Sequence, residues 1–297
     1  MTCGKIPVVP RLFGHRQNCN NFDIVWCLRM NQTDSLRPEV WEDLLTTRQL
    51  GRGWNRYYDE TDSTNIQVRR MAQEGAPAGS LCLCERQTAG RGRLGRAWHS
   101  PAGQGLWVSV LLRPRLTPEQ APLITLCAAL AMTRAVRETT GLSPAIKWPN
   151  DVVCHGRKLV GILLEISATP EAIGHVVVGT GLNVYRGAYP AELAGQAASV
   201  EDFTAPPPRR VILAAYLRAL EDTLAQVEQR GFAGIAEAYR AESCTLGSQV
   251  NVSGAVSLSG VAEDLDDTGA LLVRTPDGEL HRVLAGDVSV RGVMGYV

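Results

Sequence analysis

The sequence predicts an α+β protein: a mixed or mainly antiparallel sheet with helices packed on one side, followed by a small β-barrel. Three observations carry this. The stretch "AIKWPNDVVCHGRKLVGILLEIS" reads as apolar strands folded back on each other at a tight turn. Two long segments, "TPEQAPLITLCAALAMTRAVRETTG" and Arg209 to Gln229, repeat their apolar residues at helical spacing. From about Ser243 the texture changes to short strands punctuated by Asp-Asp-Thr-Gly and Pro-Asp-Gly turns.

The elements follow in order. Residues 1–35 lack periodicity and read as a poorly ordered, dispensable extension, with Met30 an alternative start. "RPEVWEDLLTTRQLG" predicts a helix opened by Pro38 and closed at Gly51, with Trp41, Leu44 and Leu45 on one face. "YYDETDSTNIQVRRMAQEG" gives a short strand, then a helix capped by Asp62 or Ser63 that ends near Gly75. "SLCLCERQT" and "GLWVSVLLRP" are strands around a loop. The next helix has Thr117 as its cap, Pro118 in its first turn, and Leu123, Leu126, Cys127 and Leu130 as its buried stripe. Two strands joined at His155-Gly156 come next, and "HVVVGTGLNV" is another. The proline-rich "FTAPPPRR" breaks the chain before a helix carrying Ile212, Leu213, Tyr216, Leu220, Leu224 and Val227. The expected divisions are 1–35, 36–242 and 243–297.

Composition excludes several classes of function. The chain has 297 residues, 45% hydrophobic and 20% charged, which suits a soluble globular protein with one large core and a smaller one. Its 30 Lys+Arg balance 30 Asp+Glu, so it lacks the basic excess of a general nucleic-acid or membrane-surface binder. No apolar run approaches the ~20 residues of a membrane span. The N-terminus offers only "IVWCL" as an apolar run, too short for a signal peptide. The eight cysteines form no CxxC pair, and Cys82 and Cys84 would share one strand face. Core packing and reduced thiols in a cytoplasm are the reading.

Against this neutral background "GRGRLGRAWHS" (90–100) concentrates arginine on glycine-rich chain. Glycines let backbone N–H groups approach anionic oxygens, and Arg91, Arg93 and Arg96 would neutralise the charge. Trp98 offers a ring for purine stacking, or a core side chain. An RGG-like nucleic-acid segment is the rival reading, but this cluster occurs once and lies between apolar strands. "KWPND" places Lys147, Asn150 and Asp151 at a strand end, and Lys158 returns antiparallel to it, so a shared site is expected. "GTGLNV" lacks the helix that a dinucleotide fingerprint needs. No Ser-His-Asp order or HExxH appears, so nucleophilic and zinc hydrolysis are poor readings.

Taken in register, "DSTN", "QTAGRGRLGRAW", "KWPNDV", "RKLVGILLE" and "GTGLNV" closely resemble the biotin–protein ligases, from about Leu50 to the C-terminus. The resemblance implies a class II synthetase-like biotin/lipoate ligase domain followed by an SH3-like barrel. It implies an enzyme that spends ATP, to AMP and pyrophosphate, to attach biotin to a lysine through biotinyl-5′-AMP, with Mg²⁺ accompanying ATP. By the same resemblance Ser63, Thr64, Asn65 and Gln87 would hold the biotin head group. Arg91, Gly92 and Arg93 would form a loop closing over biotin and the adenylate, and Lys158 would contact the biotin carboxyl and α-phosphate. Trp98 and Asn183 fall on the adenine side, Lys147, Asn150 and Asp151 on the phosphate and metal side, and Arg96 with the ATP-binding group. Asp151 is also the candidate helper for transfer to lysine. No metal site made by protein side chains is expected. The implied acceptor is the biotin carboxyl carrier protein or domain of acetyl-CoA carboxylase and similar carboxylases, with no nucleic acid and no membrane. A homodimer through an edge strand such as "HVVVGTGLNV" is open. Two-function members carry an N-terminal winged helix-turn-helix; residues 1–35 are too short for one, so no repressor role is expected. A lipoate ligase or octanoyltransferase of the same superfamily is the nearest enzymatic alternative.

Overall fold

The computed structural model describes residues 34–255 and 257–285 and the backbone of 288–292. The extension expected over 1–35 lies, but for its last two residues, outside them. Seven strands, β1 (Asn55–Thr61), β2 (Leu81–Gln87), β3 (Gly105–Leu112), β4 (Ala145–Lys147), β5 (Asp151–Cys154), β6 (Arg157–Ala168) and β7 (Ile173–Asn183), form one sheet ordered β1-β2-β3-β7-β6-β5-β4. β1 and β2 are parallel and the other neighbours antiparallel, so the sheet is mixed. Between β5 and β6, His155 (φ 47°) and Gly156 (φ 73°) make the two-residue turn that the sequence signals.

The helices are α1 (Thr64–Gln73), α2 (Leu123–Thr140), α3 (Arg209–Arg230) and α4 (Ala236–Glu242). They do not lie on one side of the sheet, as the sequence reading has it. α2 and α3 cover one face, where they bury Leu81, Leu83, Val108, Val110, Val176 and Val178 in the main core. α1 packs Val68 and Met71 on the opposite face, against Cys82, Leu111 and Val177. At ten residues α1 is only ~15 Å long, so it covers one end of its face and leaves the other open. Burial pushes the thiols of Cys82, Cys84 and Cys127 up, which keeps them protonated in the core.

A second sheet, β8 (Gln249–Gly254), β9 (Leu258–Leu265), β10 (Leu271–Arg274), β11 (Leu280–Val283) and β12 (Val288–Gly292), is antiparallel and ordered β11-β10-β9-β8-β12. Val250, Val252, Leu265, Leu271 and Val273 join the main core rather than closing a separate one. Trp148 ties the two sheets: its indole N–H donates to the Gly269 carbonyl at 3.0 Å, and its backbone N–H to Thr245 Oγ1 at 2.9 Å.

Other expectations need correction. Residues 38–44 form two 3₁₀ turns, Pro38–Val40 and Glu42–Leu44, instead of a helix to Gly51. The backbone N–H groups of Arg48, Gln49 and Leu50 donate to the Glu221 carboxylate at 2.7, 2.7 and 3.0 Å. A charged acceptor from α3 thus takes the donors that a continuing helix would need. Trp41 and Leu45 are buried, while Leu44 is 43% exposed. α2 starts at Leu123, after a 3₁₀ turn over Pro118–Gln120. The first strand of the hairpin is interrupted at Trp148-Pro149 into β4 and β5. β7 sits between β3 and β6, so it is not the edge strand the sequence reading has; β1 and β4 are the edges.

Candidate active site

Antiparallel register sets the floor of the site. Across β3, β7 and β6 it aligns Ser109–Gly179–Leu163 in one row and Trp107–Gly181–Gly161 in the next. These rows lie on the face that α1 half covers. With no side chain at Gly161, Gly179 and Gly181 the floor becomes a trough, because strand side chains would otherwise stand up from it. A Cβ on Gly179 would strike Asn65 Oδ1, and one on Gly181 the Trp98 indole. The cavity above the trough has a volume of about 490 Å³.

Every candidate residue lines this one cavity: Ser63, Thr64, Asn65, Gln87, the loop residues Arg91, Gly92, Arg93 and Arg96, then Trp98, Lys147, Asn150, Asp151, Lys158 and Asn183. Widely separated motifs converge because α1, the β2–β3 loop, the β4–β5 turn and the start of β6 meet at the open end.

At one end the N-terminus of α1 supplies buried polar groups. Asp62 Oδ1 accepts the Ser63 N–H at 2.7 Å and the Gln67 amide at 2.8 Å. Burial opposes its charge, but these bonds and Arg70 still hold the Asp62 carboxyl below the usual range. Ser63 is the N-cap by backbone, but its side chain makes no cap bond. Gln87 Oε1 accepts from the Thr64 N–H at 2.9 Å and hydroxyl at 3.2 Å, while its amide donates to Ser100 Oγ at 2.8 Å. The Ser109 hydroxyl lies 2.7 Å from Thr64 Oγ1 and 2.6 Å from Asn65 Oδ1. This network fixes donors and acceptors in a water-poor recess, suited to a neutral ligand head rich in both.

The other end is cationic. Arg91, Arg93, Arg96, Lys147 and Lys158 line the cavity against one carboxylate, Asp151, among the described residues. Lys158 Nζ lies 2.7 Å from Asp151 Oδ1 and 5.1 Å from the Trp98 ring centroid. The Lys158 backbone is held on both sides, its N–H donating to Gln196 O at 2.7 Å and its carbonyl accepting from Ala198 N–H at 2.8 Å. The Asn150 amide donates to Ile162 O at 2.9 Å and that of Asn183 to Ala198 O at 3.0 Å. The Trp98 ring lies over Gly161 and Gly181, with Trp107 edge-on at 6.4 Å.

The arginine loop is built more regularly than its composition suggests. Arg91 and Ala97 bridge antiparallel, Gly92 N–H donates to Arg96 O at 2.7 Å, and Leu94 turns the tip with φ 56°. Two of its arginines have protein partners: Arg93 donates to Asn150 Oδ1 at 2.8 Å and to the Ala285 carbonyl just beyond β11, and Arg91 faces Glu165 at 3.7 Å. Arg91 therefore already has a counter-charge within the protein. Sequence reading also missed Ser109 and the floor glycines. The GTG spacing was the available signal, because residues two apart on a strand share a face.

Comparison with known proteins places the chain. The Biotin/lipoate A/B protein ligase family model matches residues 57–183, and the Biotin protein ligase C terminal domain model residues 245–291. The biotin–[acetyl-CoA-carboxylase] ligase of Mycobacterium tuberculosis is 38% identical over 271 residues, 87% of this chain and 98% of that protein. The chain belongs to the biotin/lipoate A/B protein ligase family. The bifunctional ligase/repressor BirA of Bacillus subtilis is 33% identical over 79% of this chain and 73% of that protein. Among solved structures, the Aquifex aeolicus biotin protein ligase in complex with biotin and ATP matches with TM-score 0.71 and 29% identity, covering 80% of this chain and 99% of that one.

Proposed function

We propose that the chain is a biotin–[acetyl-CoA-carboxylase] ligase: it activates biotin with ATP to biotinyl-5′-AMP and transfers the biotinyl group to a lysine ε-amine. The supporting observation is one cavity with a neutral hydrogen-bonding recess at one end and, among the described residues, five cations against one carboxylate at the other. Biotin fits that polarity, with its ureido ring at Ser63, Thr64, Asn65 and Gln87 and its carboxylate toward Lys158. Two anions that repel in water must meet there. When the carboxylate oxygen attacks the α-phosphorus, charge gathers on the phosphoryl oxygens before pyrophosphate leaves. Lys158 and the loop arginines stabilise that charge, largely by position and electrostatics. The product is a mixed anhydride that water would cleave, and the loop shields it.

In the second step the lysine nitrogen attacks the anhydride carbonyl and AMP departs with the electron pair of the broken bond. Among the described residues Asp151, beside Lys158, is the one carboxylate lining the cavity, which supports it as the acceptor of the proton. Among the described residues no cluster of His, Cys, Asp and Glu could hold a metal. Mg²⁺ enters bound to the nucleotide substrate, on the side of the cavity that carries Asp151. The acceptor is a biotin carboxyl carrier domain, and the site of action the cytoplasm. Among the described residues no helix is long and apolar enough to cross a membrane. The edge strand β1 is the route to a homodimer, since the outer edge of β4 is bridged to Ser243.

Biotin-dependent ATP–pyrophosphate exchange tests the activity. Lipoate or octanoate supporting exchange where biotin does not would move the chain to the lipoate side of the family. A salt-sensitive gel shift with nucleic acid, in a protein inert to biotin, would favour the RGG reading.

Two variants test the ligand ends. Trp98→Ala is expected to weaken ATP binding by about 1–3 kcal/mol, the scale of base–aromatic stacking, while biotin binding without ATP stays nearly intact. Equal loss of both, with a lower melting temperature, would instead mark Trp98 as a core residue. Arg93→Gly is expected to keep appreciable adenylate synthesis but to release biotinyl-5′-AMP into solution in single turnovers without acceptor. It removes the clamp that joins the loop to Asn150 and Ala285. Release no faster than wild type would sink that assignment.

A further inference from the structure

Glu165 closes the RKLVGILLE stretch and has been given no role so far, yet it stands where two parts of the site meet. It lies on β6, on the face of Gly161 and Leu163 and two residues beyond Leu163. One carboxylate oxygen, Oε1, is 3.8 Å from Arg69 Nη1 on α1 and 3.7 Å from Arg91 Nη1 at the base of the arginine loop. The other, Oε2, is buried and has no hydrogen-bond partner. Beneath the loop runs a second cavity of about 520 Å³, bounded by the loop, Pro122, Thr125, Glu165 and Ala285.

These distances are long for hydrogen bonds, so both contacts are charge attraction with spare acceptor capacity. A buried carboxylate oxygen without a donor carries a desolvation cost, relieved when a guanidinium closes on it. Arg91 is placed to do so, because it forms the bridge with Ala97 at the base of the loop hairpin. Arg69 meanwhile sits on the helix whose first turn carries Thr64 and Asn65. The carboxylate therefore links the head-group end of the cavity to the base of the loop.

We propose that Glu165 is a positioning residue that anchors the arginine loop through Arg91, and so sets how long the loop retains the acyl-adenylate. The retention part rests on the ligase reading above; the anchoring part does not. Glu165 touches no reacting atom in this scheme. It holds the hairpin base against β6 while the tip, Arg93 to Gly95, closes and opens.

The test compares wild type with Glu165→Gln, which keeps the shape and removes the charge, and with Glu165→Asp, which keeps the charge on a shorter stem. In substrate-free protein, tryptic cleavage after Arg91, Arg93 or Arg96, mapped by mass spectrometry, is expected to speed up in Glu165→Gln and less in Glu165→Asp. After a single turnover without acceptor, release of biotinyl-5′-AMP is expected to rise roughly two- to five-fold in Glu165→Gln, the upper part of the range one partly exposed charge pair supplies. Its melting temperature should stay near wild type. A double-mutant cycle with Arg91→Gln should show the two effects to be non-additive. Unchanged nicking and release in Glu165→Gln, or additive effects with Arg91→Gln, would overturn the proposal. A release that merely tracks a fallen melting temperature would do the same. If Glu165→Gln does not fold, Glu165→Asp with wild-type nicking and release overturns it. Should wild type make no adenylate at all, the ligase reading fails, and the nicking comparison still decides the anchoring.

Discussion

Replacing Lys158 by alanine is expected to slow adenylate formation by about 10²–10³-fold, the usual loss when one preorganised partner of developing charge is removed. Lys158 stands apart from the loop arginines because its backbone is pinned on both sides, to Gln196 and Ala198, and cannot swing away with the loop. Its ammonium is held 2.7 Å from Asp151 and over the Trp98 ring, so little reorganisation remains when the substrates arrive. Biotin-dependent ATP–pyrophosphate exchange reads the effect. Because Asp151 loses its neighbouring cation in the same variant, a thermal melt must accompany the assay. Lys158→Arg separates charge from shape: it keeps the cation, but its planar fork does not match a point-charge role, so only partial recovery is expected. Exchange at the wild-type rate in a folded Lys158→Ala protein would remove Lys158 from the chemistry.

The cationic candidates were legible in the sequence because they sit in short local motifs whose residue types are unusual for their surroundings, whereas Ser63, Thr64, Asn65, Gln87 and Asn183 became candidates only through the family resemblance. Arginines on glycine-rich chain and Lys-Trp-Pro-Asn-Asp at a strand end invite a ligand reading without knowledge of the fold. The strands and long helices were legible through periodicity alone. What stayed hidden depends on pairing between distant segments. Nothing near Gly161 or Gly179 announces that β6 and β7 are neighbours, nor that Ser109 completes the recess, because register is a property of the assembled sheet. The failed helix at 38–51 has the same origin, since its donors are taken by Glu221 some 170 residues later. The place of β7 between β3 and β6 stayed hidden for the same reason, because strand order too is settled only in the assembled sheet.

Arg209 shows this limit at its largest energetic scale. The sequence presents it as a basic residue after three prolines, with no hint of burial. In the fold its side chain is 2% exposed, and its guanidinium donates to Glu85 Oε2 at 2.8 Å, Glu85 Oε1 at 3.2 Å and the Gly105 carbonyl at 2.9 Å. One side chain at the start of α3 thereby clamps the end of β2 to the start of β3. Gln87, which lines the site, follows Glu85 by two residues on the same strand. Replacing Arg209 by methionine keeps most of the apolar stem but leaves a largely buried carboxylate without its cation. The expected cost is about 3–5 kcal/mol, the scale for breaking a buried ion pair from one side. It should be read as a lower urea midpoint and a melting temperature lowered by roughly 6–20 °C. Replacing Glu85 as well, by leucine, removes the stranded charge. The double variant Glu85→Leu, Arg209→Met should regain much of the loss, because desolvating the pair already offset most of its attraction. Tyr57, whose hydroxyl donates to Glu85 Oε1 at 3.2 Å and also to Asp59 Oδ1 at 2.9 Å, keeps its second acceptor in that background. A loss below about 1 kcal/mol in Arg209→Met, the range of a solvated surface pair, would mean that water reaches this site. A double variant no more stable than the single would mean that the Gly105 contact, not the charge, is what the clamp supplies.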